Sequence, residues 1–89
     1  MSGPDLKGVN LLEANLRRTV LLDSALTGAH LTGADLEHAN LANAVLHHAN
    51  LKGVKLWGAS LRGADLRGVI GMSEQQIRAV ARVDERTRF

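Results

Sequence analysis

"LTGADLEHANLANAVLHHANL", residues 31–51, sets leucine at 31, 36, 41, 46 and 51. A helix wants apolar residues three or four apart, and a strand wants them two apart. A period of five serves neither. Five residues advance about 140° around a helix axis, so the leucines would wander over the whole helix surface. In a continuous strand an odd period sends successive leucines to opposite faces. The pattern requires a backbone that turns a corner within every five residues.

Working outward, the register never slips. Leucine occupies Leu6, Leu11, Leu16, Leu21, Leu26, Leu31, Leu36, Leu41, Leu46, Leu51, Leu56, Leu61 and Leu66. Two residues before each leucine the side chain is compact, as in Val9, Ala14, Ser24, Ala29, Ala44 and Val54. Positions two apart share a face, so this residue and the leucine both point inward. Asp or Asn often precedes the leucine (Asp5, Asn10, Asn15, Asp35, Asn40, Asn50, Asp65), and glycine recurs two residues after it at Gly8, Gly28, Gly33, Gly53, Gly58, Gly63 and Gly68. These residue types tolerate bent or left-handed backbone and mark the corners. A coil closed by such corners is a solenoid, with turns stacked at about 4.8 Å.

The units "GADLE", "HANLA", "HANLK" and "GADLR" resemble the pentapeptide-repeat family, whose motif is A(D/N)LxX. The resemblance covers residues 4–68, with departures at the Asp/Asn position around Thr19–Ala25 and at Val45. It implies an all-β solenoid: a right-handed quadrilateral β-helix, one pentapeptide per side and four per coil, of about three coils. The expected organisation is an N-terminal extension over 1–3, the β-helix over 4–70 and a C-terminal capping helix and tail over 71–89.

A solenoid must protect its ends. At the C-terminus Ser73 is a good N-cap, and Gln76 three residues on completes a capping box. Met72 and Ile77 form a hydrophobic staple pair. Ile77, Val80 and Ala81 share one face of a short helix expected over about 74–82, with Arg78 and Arg82 facing out. The ending "DERTRF" resembles tails that follow the repeats in this family, and Phe89 is expected to fold back. The N-terminal coil has no such cap, so either a second copy, an upstream segment or a partner covers it, or it stays frayed.

Four units per coil stack residues twenty apart, which turns the sequence into four surface maps. Val20, Leu22, Ala25, Ala42 and Val45 fall outward on two adjacent sides and form a candidate interface. Trp57 stands in the last coil and is expected to pack near the C-terminal lid. Arg17, Asp35, Glu37 and Lys55 alternate in sign up one side, the pattern of a solvated, mutually paired wall. His30, His38, His47 and His48 supply no convergent trio with a carboxylate aimed at it, so no metal site is expected.

The composition narrows the function further. The chain has 89 residues, one Trp, one Phe, no Tyr and no Cys, so leucine, valine and alanine carry the core and no disulfide or thiolate site exists. No span long enough for a membrane and no signal peptide is visible, and a cytoplasmic, membrane-free protein is expected. No nucleophile–base pair, cofactor motif or phosphate loop is present, and a convex rod packed with leucine is expected to offer no cavity for a small-molecule substrate. Lys52, Lys55, Arg62, Arg67, Arg78 and Arg82 gather toward the C-terminal half, but no aromatic platform interleaves them, which argues against nucleic acid.

The expected function is a non-enzymatic structural or protein-interaction module, self-associating as a homo-oligomer, a dimer foremost, or docking a protein partner. The alternative implied by the resemblance is a DNA mimic that binds gyrase. That role needs a long, strongly negative rod, whereas seven basic residues oppose six acidic ones within the repeats.

Overall fold

The computed structural model describes residues 3–89. Its backbone turns after every leucine. The N–H of the residue three beyond the leucine donates to the leucine carbonyl, from Val9 onto Leu6 at 3.1 Å to Val69 onto Leu66 at 3.2 Å. The third residue of each such turn has positive φ in all thirteen units, Gly8 to Gly68. That is the pattern of a type II turn, whose left-handed position favours glycine. Six units place Glu13, Arg18, Asp23, His38, Asn43 or His48 there instead.

Between turns only a few residues are extended, too few for a conventional strand. Each side contributes one residue to a parallel ladder in steps of twenty: Asp5 to Ala25, Ala25 to Val45, Val45 to Asp65, and likewise around the coil. The result is a right-handed quadrilateral β-helix. Its first side carries Leu6, Leu26, Leu46 and Leu66. The second carries Leu11, Leu31 and Leu51, the third Leu16, Leu36 and Leu56, and the fourth Leu21, Leu41 and Leu61.

The Asp/Asn preference has a direct cause. All seven of these residues accept, through the side-chain Oδ1, the N–H two residues on, as Asn40 does from Ala42 at 3.0 Å and Asn50 from Lys52 at 3.1 Å. This clip satisfies the one turn N–H that the ladder leaves open.

The core is a column of leucines and alanines, fully buried from Leu26 to Leu66 apart from small residual exposure at Val54 and Leu56. Ser24 joins it by donating its hydroxyl hydrogen to the Leu21 carbonyl at 2.7 Å. Leu6, Leu11 and Leu16, in the first coil, are only partly buried. Their outer faces have no coil beneath them among the described residues.

The other end is closed. Gly71 stands where the next leucine of the second side would fall, and α1 follows over Glu74–Val80. The helix is shorter than the expected 74–82, because Ala81 already has extended backbone. Ser73 and Gln76 form the reciprocal capping box. Ile77 is completely buried, with Met72 and Val80 packed around the same core. Arg82 is not a helical residue: it pairs with Ser60 on the ladder, and Arg88 pairs with Asp65. The tail thus lays a partial fourth coil on the stack, with Val83 and Phe89 in the leucine register and both packed on the core. Arg78 on α1 covers the Phe89 ring at 4.7 Å.

The corners are also stacked, and side chains there exclude one another. A Cβ at Gly58 would lie 2.5 Å from the His38 ring below it, and one at Gly68 would lie 2.6 Å from His48. Gly58→Ala therefore combines a left-handed alanine with a displaced imidazole, and should cost about 1–3 kcal/mol in chemical denaturation. Adding His38→Gly to that variant should recover part of the loss, which a double-mutant cycle would measure.

Candidate interaction surfaces

The fourth and first sides meet at an edge where apolar side chains replace the Asp/Asn clip. Val20 is 69% exposed and Leu22 42%. Ala25, Ala42 and Val45 are half-buried beside them. Val20, Ala25 and Val45 are ladder neighbours of Asn40, Asp5 and Asp65, so this patch interrupts columns that elsewhere carry carboxylates or amides. Above it Arg62, Arg82 and Arg88 are exposed and form no ion pair among the described residues. Leu12 and Ile70, exposed at 55% and 57%, lie outside the patch. The repeat register places both outward, but they stand on the second side, apart from the others.

The charged wall on the third side is paired in its lower part. The Arg17 guanidinium bonds Glu37 and Asp35 together, one and the same arginine reaching two carboxylates in the coil above. The hydrogen bond from the Glu37 N–H, followed by Arg17, holds the Asp35 carboxyl below its ordinary range. Its hydrogen bonds to Asp35 and Glu37 raise Arg17 correspondingly. Lys55 extends the column but makes no ion pair among the described residues.

The histidines do not converge on a metal-binding cluster among the described residues. One of them has a single carboxylate at hand: Asp65 lies 2.6 Å from His47 Nε2. The same carboxylate takes a two-pronged bond from Arg67, at 2.9 and 2.6 Å. Arg67 foremost, with His47, holds Asp65 well below the usual carboxylate range against the opposing effect of desolvation. The coil-to-coil offset of twenty would have found the columns, but not which side chains lean together.

Sequence reasoning passed over two residues that tie the tail down. Asp84 Oδ1 accepts the Gly63 N–H at 3.0 Å, replacing the backbone carbonyl that the ladder supplies at equivalent positions below. Thr87, nearly buried, donates to the Leu61 carbonyl at 2.9 Å and accepts from the Asp84 N–H at 3.0 Å. The spacing Asp84–Thr87 inside "VDERTRF" is the only signal that could have exposed this clamp.

The expectation of no cavity fails at the lid. Where α1 meets the third side there is an open cleft of about 570 Å³, floored by Val54, Lys55 and Leu56 and walled by Trp57, Met72, Ala79 and Val80. Trp57 stands beside the lid, on the rim of this cleft, and is 60% exposed there. The coils themselves are solid; the cleft exists because a helix lies against a flat wall. No helix among the described residues is long and apolar enough to cross a membrane.

These features agree with what the chain is similar to. The sequence model for pentapeptide repeats matches in eight copies, over residues 1–33 and 29–68. The chain belongs to the pentapeptide-repeat family. Among solved structures, a pentapeptide repeat protein from the cyanobacterium Cyanothece 51142 is 32% identical over 90% of this chain and 56% of its own, with a TM-score of 0.46. A pentapeptide repeat protein of the Arabidopsis thaliana thylakoid lumen is 25% identical over 97% of this chain and 58% of its own, with a TM-score of 0.42. QnrB1, a plasmid-mediated fluoroquinolone resistance protein, is 20% identical over 91% of this chain and 38% of its own, with a TM-score of 0.40. The chain therefore spans a little over half the length of the first two. No curated protein matches it.

The Asp84 clamp has a pH signature. Desolvation opposes its ionisation, but the N–H groups of Gly63 and Arg86 and the Arg86 side chain outweigh it and hold the carboxyl below its ordinary range. A depressed folded-state pKa contributes stability that is fully present above the unfolded value, about 3.9, and lost as pH falls through the folded one. The Tm of wild type should exceed that of Asp84→Ala at neutral pH, and the gap should close on acidification below the unfolded value. Thermal melts followed by circular dichroism would show it.

Proposed function

We infer that this protein is a non-catalytic interaction module: a small rigid block whose flat sides dock protein, with a second copy of the chain as the first occupant. The observation that carries this reading is the exposure of Val20 and Leu22 at the edge shared by two sides. At Val20, Ala25 and Val45 the chain forgoes a side-chain clip on the turn N–H, a hydrogen bond worth about 1 kcal/mol. What it receives in exchange is apolar surface, which is useful only if something covers it.

A two-fold contact is self-complementary, so the same patch serves both copies. Arg62, Arg82 and Arg88 all lie toward the upper end of these sides. Parallel copies would bring these like charges together, and antiparallel copies separate them. Imitation of duplex DNA draws no support from the charge layout. Arg17, Arg67 and Arg86 neutralise Asp35, Glu37, Asp65 and Asp84, and Arg18, Arg62, Arg82 and Arg88 form no ion pair among the described residues.

Light scattering across a range of protein concentration tests the reading. Wild type should gain mass with concentration, and Leu22→Lys should remain monomeric at concentrations where wild type is dimeric. Because Leu22 is already exposed, its circular dichroism and melting should change little. Equal masses for the two proteins, with every captured partner retained by the variant, would sink it.

A further inference from the structure

The ladder of this β-helix has one missing rung. At twelve of thirteen units the leucine N–H donates to a carbonyl of the coil above, from Leu6 onto Ala25 at 2.7 Å to Leu66 onto Arg88 at 2.7 Å. Leu56 alone does not, among the described residues. The matching acceptor is unpaired too. Ala59 and Ala64, which occupy the same place in their units as Val54, accept the N–H groups of Arg82 and Arg88, whereas the Val54 carbonyl accepts nothing.

The cause is α1. A helix satisfies its backbone groups internally, so it cannot also offer them sideways to a coil. Only the last carbonyls of a helix remain free, and one is used in this way: Val80 accepts from the Gly58 N–H at 2.9 Å. The third side of the last coil is therefore left with one ladder donor, Leu56 N–H, and one ladder acceptor, Val54 C=O, on residues only 3% and 7% exposed. Both residues floor the cleft under α1.

We propose that this cleft binds an extended peptide segment of a partner protein, which adds the missing rung by pairing one residue with Lys55. Ladder geometry dictates the pairing. The bound residue would donate its N–H to Val54 and accept from Leu56, as Arg82 does with Ala59 and Leu61. Its side chain points outward beside Lys55, a cation with no ion pair among the described residues; Glu37, which also lines the cleft, is neutralised by Arg17, so the free cation selects a carboxylate. Its two neighbours point the other way, toward the apolar lining of Met72, Ala79 and Val80. The recognised chemistry is apolar–acidic–apolar in an extended chain, the β-addition mode in which backbone bonds supply affinity and alternate side chains supply specificity. This site is on a different side from the Leu22 edge and stands or falls separately from it.

Trp57, the one tryptophan of the chain, rims the cleft and reports its occupancy. The probe is acetyl-Gly-Ala-Asp-Leu-Arg-amide, titrated into the Leu22→Lys variant so that self-association does not interfere. Saturable change in Trp57 fluorescence is expected, together with an NMR shift of the Leu56 amide. Proline in place of the peptide's Asp removes the N–H donor and should weaken binding about tenfold or more. Lys55→Glu should reverse the preference between this peptide and one carrying Lys at the same place. Ala79→Arg, at an exposed helical position, should fill the cleft and abolish binding while leaving the far-ultraviolet spectrum intact. The proposal is overturned by no saturable response up to about 5 mM peptide, by equal binding of the proline peptide, or by amide shifts that map away from Leu56 and Trp57.

Discussion

The left-handed residue after each leucine is the constraint on which the rest depends. It bends the chain by a quarter turn every five residues, and four such bends return the backbone to its starting column one ladder spacing higher. Once that return is set at twenty residues, the hydrogen bonds, the leucine column and the surface columns all follow from one repeated corner. The cost of the corner is borne unevenly. Seven units use glycine, whereas Glu13, Arg18, Asp23, His38, Asn43 and His48 accept positive φ with a side chain attached. A left-handed L-residue costs roughly 1–2 kcal/mol, so this block spends part of its stability on carrying functional groups at its corners. All four corner positions of the uppermost complete coil, Gly53, Gly58, Gly63 and Gly68, are glycine, and at three of them a side chain from the coil below fills the space a Cβ would need.

Ending such a stack presents a conflict between two hydrogen-bonding schemes. A ladder shares its backbone groups between coils, and a helix keeps them to itself. The chain resolves this by using both. α1 plugs the core with Ile77, and the tail then returns to ladder pairing through Arg82 and Arg88, with Asp84 and Thr87 supplying side-chain groups where the backbone register shifts. Arg82 and Arg88 are six residues apart, one more than the repeat, and the Asp84–Thr87 turn absorbs the extra residue. The cleft under α1 is the residue of this compromise, and its unpaired donor and acceptor are the direct consequence of placing a helix on a β edge.

The surface chemistry is written in departures from the repeat. Where Asp or Asn stands before leucine, the side chain serves its own turn. Where Val20, Ala25, Val45 or Lys55 stands there, the side chain is released from that local duty and faces outward. Three of those four build the apolar edge, and the fourth stands at the mouth of the cleft. Function in a repeat protein of this kind is therefore sought at the positions that decline to repeat, since the residues that conform are occupied in building the block.

The fold was legible because its contacts recur at a constant offset. Leucine every fifth residue, a small residue two before it and glycine two after it each describe one corner, and thirteen corners in register specify the whole block. The Ser73–Gln76 capping box and the Met72–Ile77 pair were legible for the same reason: their partners lie within one turn of helix. What lies beyond any fixed offset was decided by tertiary structure. The bonds from Asp84 to Gly63 and from Thr87 to Leu61 depend on where an aperiodic tail lands, as does the reach of Asp65 to His47 on how two rotamers lean. The cleft beside Trp57 depends on a negative fact, the failure of a helix to donate to Val54 or to accept from Leu56. A sequence displays the residues that repeat a contact, but only the assembled molecule shows the one place where a contact required by the repeat is not made.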